Sequence, residues 1–135
     1  MTSFNVIIAG GRAYTPQADD YLKLDMAFLA VWAWATQLQC LSVSVIEGGA
    51  RGADALGRQW AQTRGLPVQT FPADWDNLGR KAGFLRNQAM AQQAHALVAF
   101  PGGRGTQHMR NQAALRHLPI CELYPNQVWR VWPYY

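Results

Sequence analysis

The sequence predicts an α/β protein with a single Rossmann-like domain, in which an open, mostly parallel five-stranded sheet carries helices on both faces. Short apolar runs of strand type alternate with longer helical patterns along the chain. Three of the strand-like runs end at glycine pairs, which is typical of strands that turn sharply at a sheet edge. The length of 135 residues suits one domain, and no internal repeat or linker divides it. Because strands joined through helices form right-handed crossovers, we expect them to lie parallel.

Each predicted strand is a short, largely apolar run bounded by turn-forming residues. The five strands are predicted over residues 4–9, 42–46, 67–71, 96–100 and 120–123. Helical patterns fill the intervals, and the first of them begins at an acidic pair and contains no internal glycine or proline. The four helices are predicted over residues 19–39, 52–64, 80–93 and 106–117, with a loop over 72–79.

The domain is predicted to span residues 1–124, followed by an aromatic C-terminal tail over 125–135. The tail shows neither a helical nor a strand period. We expect it to pack on the domain, since Trp129, Trp132 and the two final tyrosines would otherwise be exposed.

Composition indicates an anionic partner. Lys and Arg number 12 against 8 Asp and Glu, and the net charge of +4 is too modest to favour nucleic acid. Ten of the 12 basic residues are Arg, the side chain suited to bidentate contact with phosphate. No signal peptide is visible, and the apolar run over 26–35 is too short to span a membrane.

We expect a cytoplasmic protein without a metal or cofactor. The spacing of Cys40 and Cys121 is not that of metal ligands, and the sequence allows a disulfide between them. The three histidines are not spaced as metal ligands either.

Glycine and arginine gather directly after three of the predicted strands. Parallel strands share the edge at which they end, so these loops should meet and form a ligand site there. Glycine lets the backbone approach an anion closely, and a helix that begins after the turn adds its positive dipole end. The candidate ligand-binding residues, completed by one asparagine of the third helix, are Gly10, Gly11, Arg12, Gly48, Gly49, Arg51, Gly52, Asn87, Gly102, Gly103, Arg104, Gly105 and Thr106.

Each of these residues also has a purely structural interpretation. A glycine pair after a strand can be an ordinary turn, and Thr106 can be a helix N-cap. Glu47, at the tip of the second strand, can bond a ribose hydroxyl or be a solvated strand-end residue. The segment Gly48–Ala53 is not a dinucleotide fingerprint, because alanine occupies two of its glycine positions, and no Walker motif occurs. An ordinary dehydrogenase or NTPase is therefore disfavoured.

The run Phe100-Pro-Gly-Gly-Arg-Gly-Thr106 resembles the P-G-G-x-G-T loop of the SLOG superfamily, named from the DNA-processing protein DprA/Smf and the LOG phosphoribohydrolases. The segment Gly48–Asp54 is similar to a second glycine loop of that group, and Arg86 with Met90 matches an R-x-x-x-M element of the LOG enzymes. Further segments, 73–75 and 82–87, resemble the YspA-like branch of bacteria and phages. The resemblance covers residues 4 to about 121.

This resemblance implies a Rossmann-like domain that binds a nucleotide-derived, phosphate-bearing ligand, as a sensor or sequestering module. It also raises hydrolysis of an N-glycosidic bond in a nucleoside monophosphate, with Arg86 as a phosphate-binding or catalytic arginine. In LOG enzymes this loop continues to a catalytic Glu, but Met109 stands there in this chain, and a thioether cannot transfer a proton. Hydrolysis would then need Asp54 or Asp74. A DprA-like DNA-processing role is the third alternative, although the chain has no long basic stripe.

For Asp54 and Asp74 a structural role is equally open. Asp54 suits the positive end of a helix dipole, and the pair Asp74-Trp75 can be a loop anchored by the indole.

The first helix is apolar on more than one side. Leu22, Leu29 and Trp32 share one side, whereas Leu24 and Phe28 fall elsewhere. One side should pack on the sheet, and the other should be covered by the aromatic tail or by a second subunit. We predict a homodimer with the first helix in its interface.

Overall fold

The structure, a computed structural model, describes residues 3–124 and 129–132. One sheet is built from six strands, β1 (Ser3–Ala9), β2 (Ser42–Glu47), β3 (Val68–Thr70), β4 (Ala96–Ala99), β5 (Ile120–Leu123) and β6 (Trp129–Trp132). The helices are α1 (Asp20–Gln37), α2 (Ala53–Thr63), α3 (Trp75–Leu78), α4 (Ala82–Gln93) and α5 (Arg104–Leu115). A 3-10 turn, Gly79–Lys81, joins α3 to α4.

The strand order is β3-β2-β1-β4-β5-β6. Strands β1 to β5 are parallel, and β6 pairs antiparallel with β5. The predicted Rossmann-like α/β fold with a mostly parallel sheet is therefore confirmed. The order runs outward in one direction from β1 to β3 and in the other from β4 to β6, so the reversal falls between β1 and β4.

The central position of β1 in the sheet explains why its sequence is a continuous apolar run. Val6 of β1 pairs with Val45 of β2 on one side and with Ala96 of β4 on the other. Both faces of β1 are covered by helices, so Val6, Ile7 and Ile8 are all fully buried.

Each face of the sheet has its own apolar layer. Side chains of α1 and α2 pack with one set of strand residues, and the rings of Phe28 and Trp60 join these two helices at a centroid distance of 4.5 Å. Side chains of α4 and α5 pack on the opposite face, where Met90 and Met109 are buried against Ile7 and Leu97. Helices on both faces were predicted, and the two separate clusters confirm them.

The sequence-based boundaries differ from the structure in several places, among them α5, which spans Arg104–Leu115 rather than 106–117. Residues 129–132 form the edge strand β6, where we predicted neither helix nor strand. The loop predicted over 72–79 contains α3, whose first turn is closed by Asp74 accepting from the backbone N–H of Asn77 at 3.3 Å. The next α-helix begins at Ala82 rather than near residue 80, because a 3-10 turn precedes it. The remaining tail residues, 125–128 and 133–135, lie outside the described residues, so the packing of the tail stays a prediction.

Helix α1 buries one of its two apolar sides. Leu24, Phe28 and Val31 are buried against the sheet layer. The opposite side leaves large apolar side chains exposed, namely Leu22, Met26, Leu29 and Trp32.

No helix in the described part of the chain is long and apolar enough to cross a membrane. Cys40 and Cys121 are both buried and are not joined in a disulfide.

Candidate functional site

A cleft of about 890 Å³ lies at the carboxyl ends of β1 and β4, where the strand order reverses. Parallel sheets bind ligands at this point because the loops after the two neighbouring strands diverge to opposite faces and leave a crevice between them. The cleft is lined by the loop after β1, the loop after β4 with the start of α5, and residues of α3 and α4. Its size is that of a typical small-molecule site.

The backbone of Gly11 joins the loops at the floor of the cleft. Its N–H donates to the carbonyl of Pro101 at 2.9 Å, and its own carbonyl accepts from the N–H groups of Tyr14 and Ala53, both at 3.1 Å. The neighbouring Gly10 has no room for a side chain, since a Cβ there would lie 2.6 Å from that of Ala53 and 2.7 Å from that of Phe100. These glycines let the loops after β1 and β4 meet the start of α2.

The amino terminus of α5 lies in the lining of the cleft. Gly103 is its N-cap residue, and no side chain caps this terminus. A Cβ added at Gly103 or Gly105 would meet nothing within 4 Å, so the backbone there borders open space. One interpretation of the sequence made Thr106 the N-cap, and that interpretation is wrong. Thr106 is buried in the first turn, next to Gly102.

The lining of the cleft is strongly basic. Four arginines line it, namely Arg12, Arg80, Arg86 and Arg104. Asp54 is the one acidic residue among the lining residues. An anionic ligand is favoured by this balance of charge.

The guanidinium of Arg86 is held in place by the protein itself. Its Nη1 donates to the carbonyl of Gly48 at 2.6 Å, and its Nε donates to Oδ1 of Asn87 at 3.0 Å. A Cβ at Gly48 would lie 2.8 Å from the guanidinium carbon, so only glycine leaves space for this approach. Burial lowers the pKa of Arg86, although the nearby carboxylates of Asp54 and Glu47 oppose that shift.

Asp54 is a buried carboxyl in the wall of the cleft, in the first turn of α2. Burial raises its pKa to about 6, against the opposing effects of the N–H of Ala50, which donates to it at 3.2 Å, and of the positive charge of Arg86. A carboxyl with this pKa can hold or release a proton near neutral pH.

Asn87 links the two helices that flank the cleft. Its Nδ2 donates to the carbonyl of Gly105 at 3.1 Å and lies 3.1 Å from Nδ1 of His108. The ring of His108 in turn packs on Phe84, with 4.5 Å between ring centroids. Burial lowers the pKa of His108, which favours the neutral imidazole in this contact.

Most of the sequence-predicted site residues come together in this cleft. Those that line it are Gly10, Gly11, Arg12, Asp54, Arg86, Asn87, Gly102, Gly103, Arg104, Gly105 and Thr106. Those that do not are Gly48, Gly49, Arg51, Gly52 and Asp74. Gly48 supports Arg86, Gly52 packs on the loop after β1, and Asp74 caps α3.

Glu47 is not a solvated strand-end residue. Its side chain is fully buried, with 0% exposure. It accepts from the N–H of Gly49 at 2.7 Å and from the hydroxyl of Thr70, and it pairs with Arg58 at 3.1 Å. These bonds hold the end of β2 to β3 and α2, away from the lining of the cleft.

Sequence reasoning missed part of the cleft wall. Tyr14, Trp75 and Phe84 all line it. The phenol of Tyr14 donates to buried Asp20 at 2.8 Å, and burial together with this bond raises the tyrosine pKa. The pair Asp74-Trp75 was open to interpretation as a loop anchor, and the available signal for Phe84 was its place in the segment 82–87, which resembles the YspA-like branch. Met109, at the position of the LOG glutamate, is buried and lines the same cleft.

Within the described residues, no three His, Cys, Asp or Glu side chains gather in a group that could hold a metal ion. The functional groups of the cleft are therefore backbone N–H groups, arginines, one buried carboxyl and aromatic rings.

The strand order and the glycine loops at its reversal define a Rossmann-like domain with a ligand-type cleft. The chain matches the YspA, cpYpsA-related SLOG family over residues 4–77, more than half its length, and it belongs to that family. The matched region covers β1 to β3 and α3, whereas the loop after β4 lies beyond it. The chain is also 40% identical over 84 residues to the Gene 61 protein of Mycobacterium phage D29, an alignment that covers 56% of this chain and 67% of the phage protein.

Proposed function

We propose that this domain binds a nucleotide-derived, phosphate-bearing ligand in the cleft and acts as a sensor or sequestering module for it. The observation that carries the proposal is the uncapped amino terminus of α5, which borders open space at Gly103 and Gly105 beside four lining arginines. Backbone N–H groups and the dipole at such a terminus attract an anion, and arginine supplies the opposite charge with matching geometry.

In this proposal the phosphate lies over the Gly102–Thr106 turn. Arg104 begins α5 and Arg12 follows the glycine pair of β1, so each would approach the phosphate from a different loop. The rest of the ligand then extends toward α3 and α4, whose side chains complete the cleft.

Isothermal titration calorimetry with adenosine monophosphate tests the proposal, using Gly103→Leu as the main variant. A side chain added at Gly103 would enter open space, and circular dichroism with thermal unfolding of each variant checks that the fold is retained. We expect at least a tenfold loss of affinity for Gly103→Leu and a smaller loss for Gly103→Ala. Wild-type affinity in the leucine variant, or a ligand bound at the opposite edge of the sheet, would contradict the proposal.

Hydrolysis of the N-glycosidic bond is a second candidate, favoured by one observation. Asp54 lines the cleft, and burial raises its pKa to about 6, so its carboxyl could protonate a departing base at neutral pH. The buried Met109 removes the acid on which LOG enzymes depend, so we expect base release to be weak or absent.

Chromatography of free base after incubation with nucleoside monophosphates tests this candidate. Release by the wild type that is lost in Asp54→Asn would support hydrolysis, and a gain in Met109→Glu would identify the missing acid. If the wild type binds the nucleotide and releases no base, the hydrolase candidate fails while the binding proposal stands.

We also propose that two copies of the chain associate through the exposed side of α1. This side carries Leu22, Met26, Leu29 and Trp32, and Asp25 beside it is paired with Arg64 at 2.7 Å. An apolar side without unpaired charge can meet a second copy of itself across a two-fold axis with no like-charge repulsion.

Light scattering at micromolar concentration tests this association. Leu29→Asp should convert a dimer into a monomer, whereas Leu115→Asp should not, although both leucines are 72% exposed. Phe28 is unsuited to the test because it is buried against Trp60. A monomeric wild type would contradict the proposal.

A further inference from the structure

Two large aromatic side chains line the cleft on the side of α3 and α4. Trp75 is 50% exposed and Phe84 is 47% exposed, and both border the same cavity as the glycine turn of α5. Leaving a large aromatic surface in water is unfavourable, and aromatic rings at the wall of a binding cleft are typical contacts of a planar apolar ligand group.

The position of Trp75 is specified by a glycine in the following helix. A Cβ at Gly83 would lie 3.1 Å from the outer ring of the indole, closer than ordinary van der Waals contact. Glycine in a helix is less favourable than alanine. Since α4 carries Gly83 in its first turn, next to Ala82, this cost is explained by the space that the indole occupies.

Phe84 is held close to the proposed phosphate position. Its ring packs on His108 of α5, and Asn87, less than one turn further along α4, bonds the carbonyl of Gly105. Phe84 therefore contacts α5 through His108, and Trp75 contacts α4 at Gly83. The aromatic side chains and the basic glycine turn thus come from different elements that line one cleft.

We propose that Trp75 and Phe84 bind the base of the ligand by stacking, and that the site therefore selects purine over pyrimidine nucleotides. This inference rests on the proposed function, because it assigns the second half of a ligand whose phosphate lies at the α5 turn. Stacking on aromatic rings accepts any base, but it increases with the area of the base, and a purine has two fused rings.

Calorimetry with adenosine monophosphate, cytidine monophosphate and ribose 5-phosphate tests the assignment. For the wild type we expect the purine nucleotide to bind roughly tenfold or more tightly than ribose 5-phosphate, with cytidine monophosphate between them. Trp75→Ala and Phe84→Ala should each reduce this preference, the ratio of the affinity for adenosine monophosphate to that for ribose 5-phosphate, several-fold.

Matched controls lie on the same helices. Leu78 of α3 and Leu85 of α4 are 42% and 44% exposed, and neither lines the cleft, so Leu78→Ala and Leu85→Ala should keep the wild-type preference. Gly83→Ala should shift the indole by only a few tenths of an ångström and should therefore reduce the preference less than Trp75→Ala does.

The outcomes separate the two proposals. If neither ribose 5-phosphate nor any nucleotide binds, the phosphate site itself is wrong. If ribose 5-phosphate and adenosine monophosphate bind equally well, or if the aromatic variants keep the wild-type preference, the phosphate site stands and the stacking assignment is overturned.

Discussion

The loop after β2 and the loop after β4 are alike in sequence and opposite in use. Each combines several glycines with an arginine, follows a buried strand and leads into a helix. In the first loop, a Cβ at Gly48 would collide with Arg86, and one at Gly52 would collide with the backbone of Gly11 and Arg12. In the second loop, Gly103 and Gly105 border empty space.

The difference shows that the glycines of one loop make room for other parts of the protein, whereas those of the other border open space, which we propose a ligand occupies. Gly102 illustrates the boundary, since a Cβ there would lie 2.7 Å from the nitrogen of Gly11, whereas a Cβ at its neighbour Gly103 would meet nothing within 4 Å. A motif alone does not separate these two uses, because both require the absence of a side chain.

Among the substitutions that test this comparison of the two loops, we expect Gly52→Ala to have the largest effect on stability. The φ of +76° at Gly52 is unfavourable for any residue with a side chain, and the added Cβ would also meet backbone that cannot rotate away. We expect Gly52→Ala to lower the free energy of unfolding by about 3 kcal/mol or more, measured by urea denaturation.

Gly65→Ala is the matched control for the backbone strain at Gly52. Gly65 has a φ of +73° with nothing within 4 Å, so its substitution should cost only about 1 kcal/mol. Equal losses at the two positions would show that the close approach of the loops contributes little.

Asp54, at the start of the helix that follows the first loop, provides the next largest effect. Burial raises its pKa from 3.8 to about 6, so the folded protein binds a proton more tightly than the unfolded chain. Stability from this group is therefore present below about pH 4 and is lost as the pH rises through about 6. The loss amounts to about 2–3 kcal/mol.

Urea denaturation of the wild type and Asp54→Asn across this pH range isolates the contribution of Asp54. The stability of the variant relative to the wild type should rise by that amount between pH 4 and pH 7. A constant difference across the range would mean that Asp54 titrates normally.

The smallest expected effect is a change in ligand affinity when the arginine of each loop is replaced. Arg51 and Arg104 are both exposed, but only Arg104 lines the cleft. We expect Arg104→Ala to weaken the binding of adenosine monophosphate about tenfold, which corresponds to one charge-assisted hydrogen bond, and Arg51→Ala to leave it within twofold. Equal losses would place both loops at the ligand and break the comparison.

Local signals were sufficient to predict the five parallel strands. Apolar runs such as Val6 to Ile8 are continuous because helices cover both faces, and the glycines that follow mark where each strand ends. The meeting of the loops after β1 and β4 also followed, since parallel strands share one edge. For this reason most of the predicted glycines and Arg86 lie at the cleft.

Long-range contacts explain what the sequence could not show. Glu47 reads as a polar strand end, but Arg58 and Thr70 from separate elements enclose it. Trp75 and Phe84 join the cleft only because the short helix α3, capped locally by Asp74, precedes the 3-10 turn. The edge strand β6 depends on the pairing of Cys121 with Val131, which no local period reveals.

The three backbone hydrogen bonds at Gly11 have a consequence for the thermodynamics of recognition. They fix the loop after β1 to Pro101 and to the start of α2 before any ligand arrives. The conformational entropy of these loops is therefore lost during folding, so association has little ordering left to accomplish. We expect binding to proceed with nearly unchanged backbone geometry, and the amide protons of Gly11 and Ala53 to exchange slowly even in the unliganded protein.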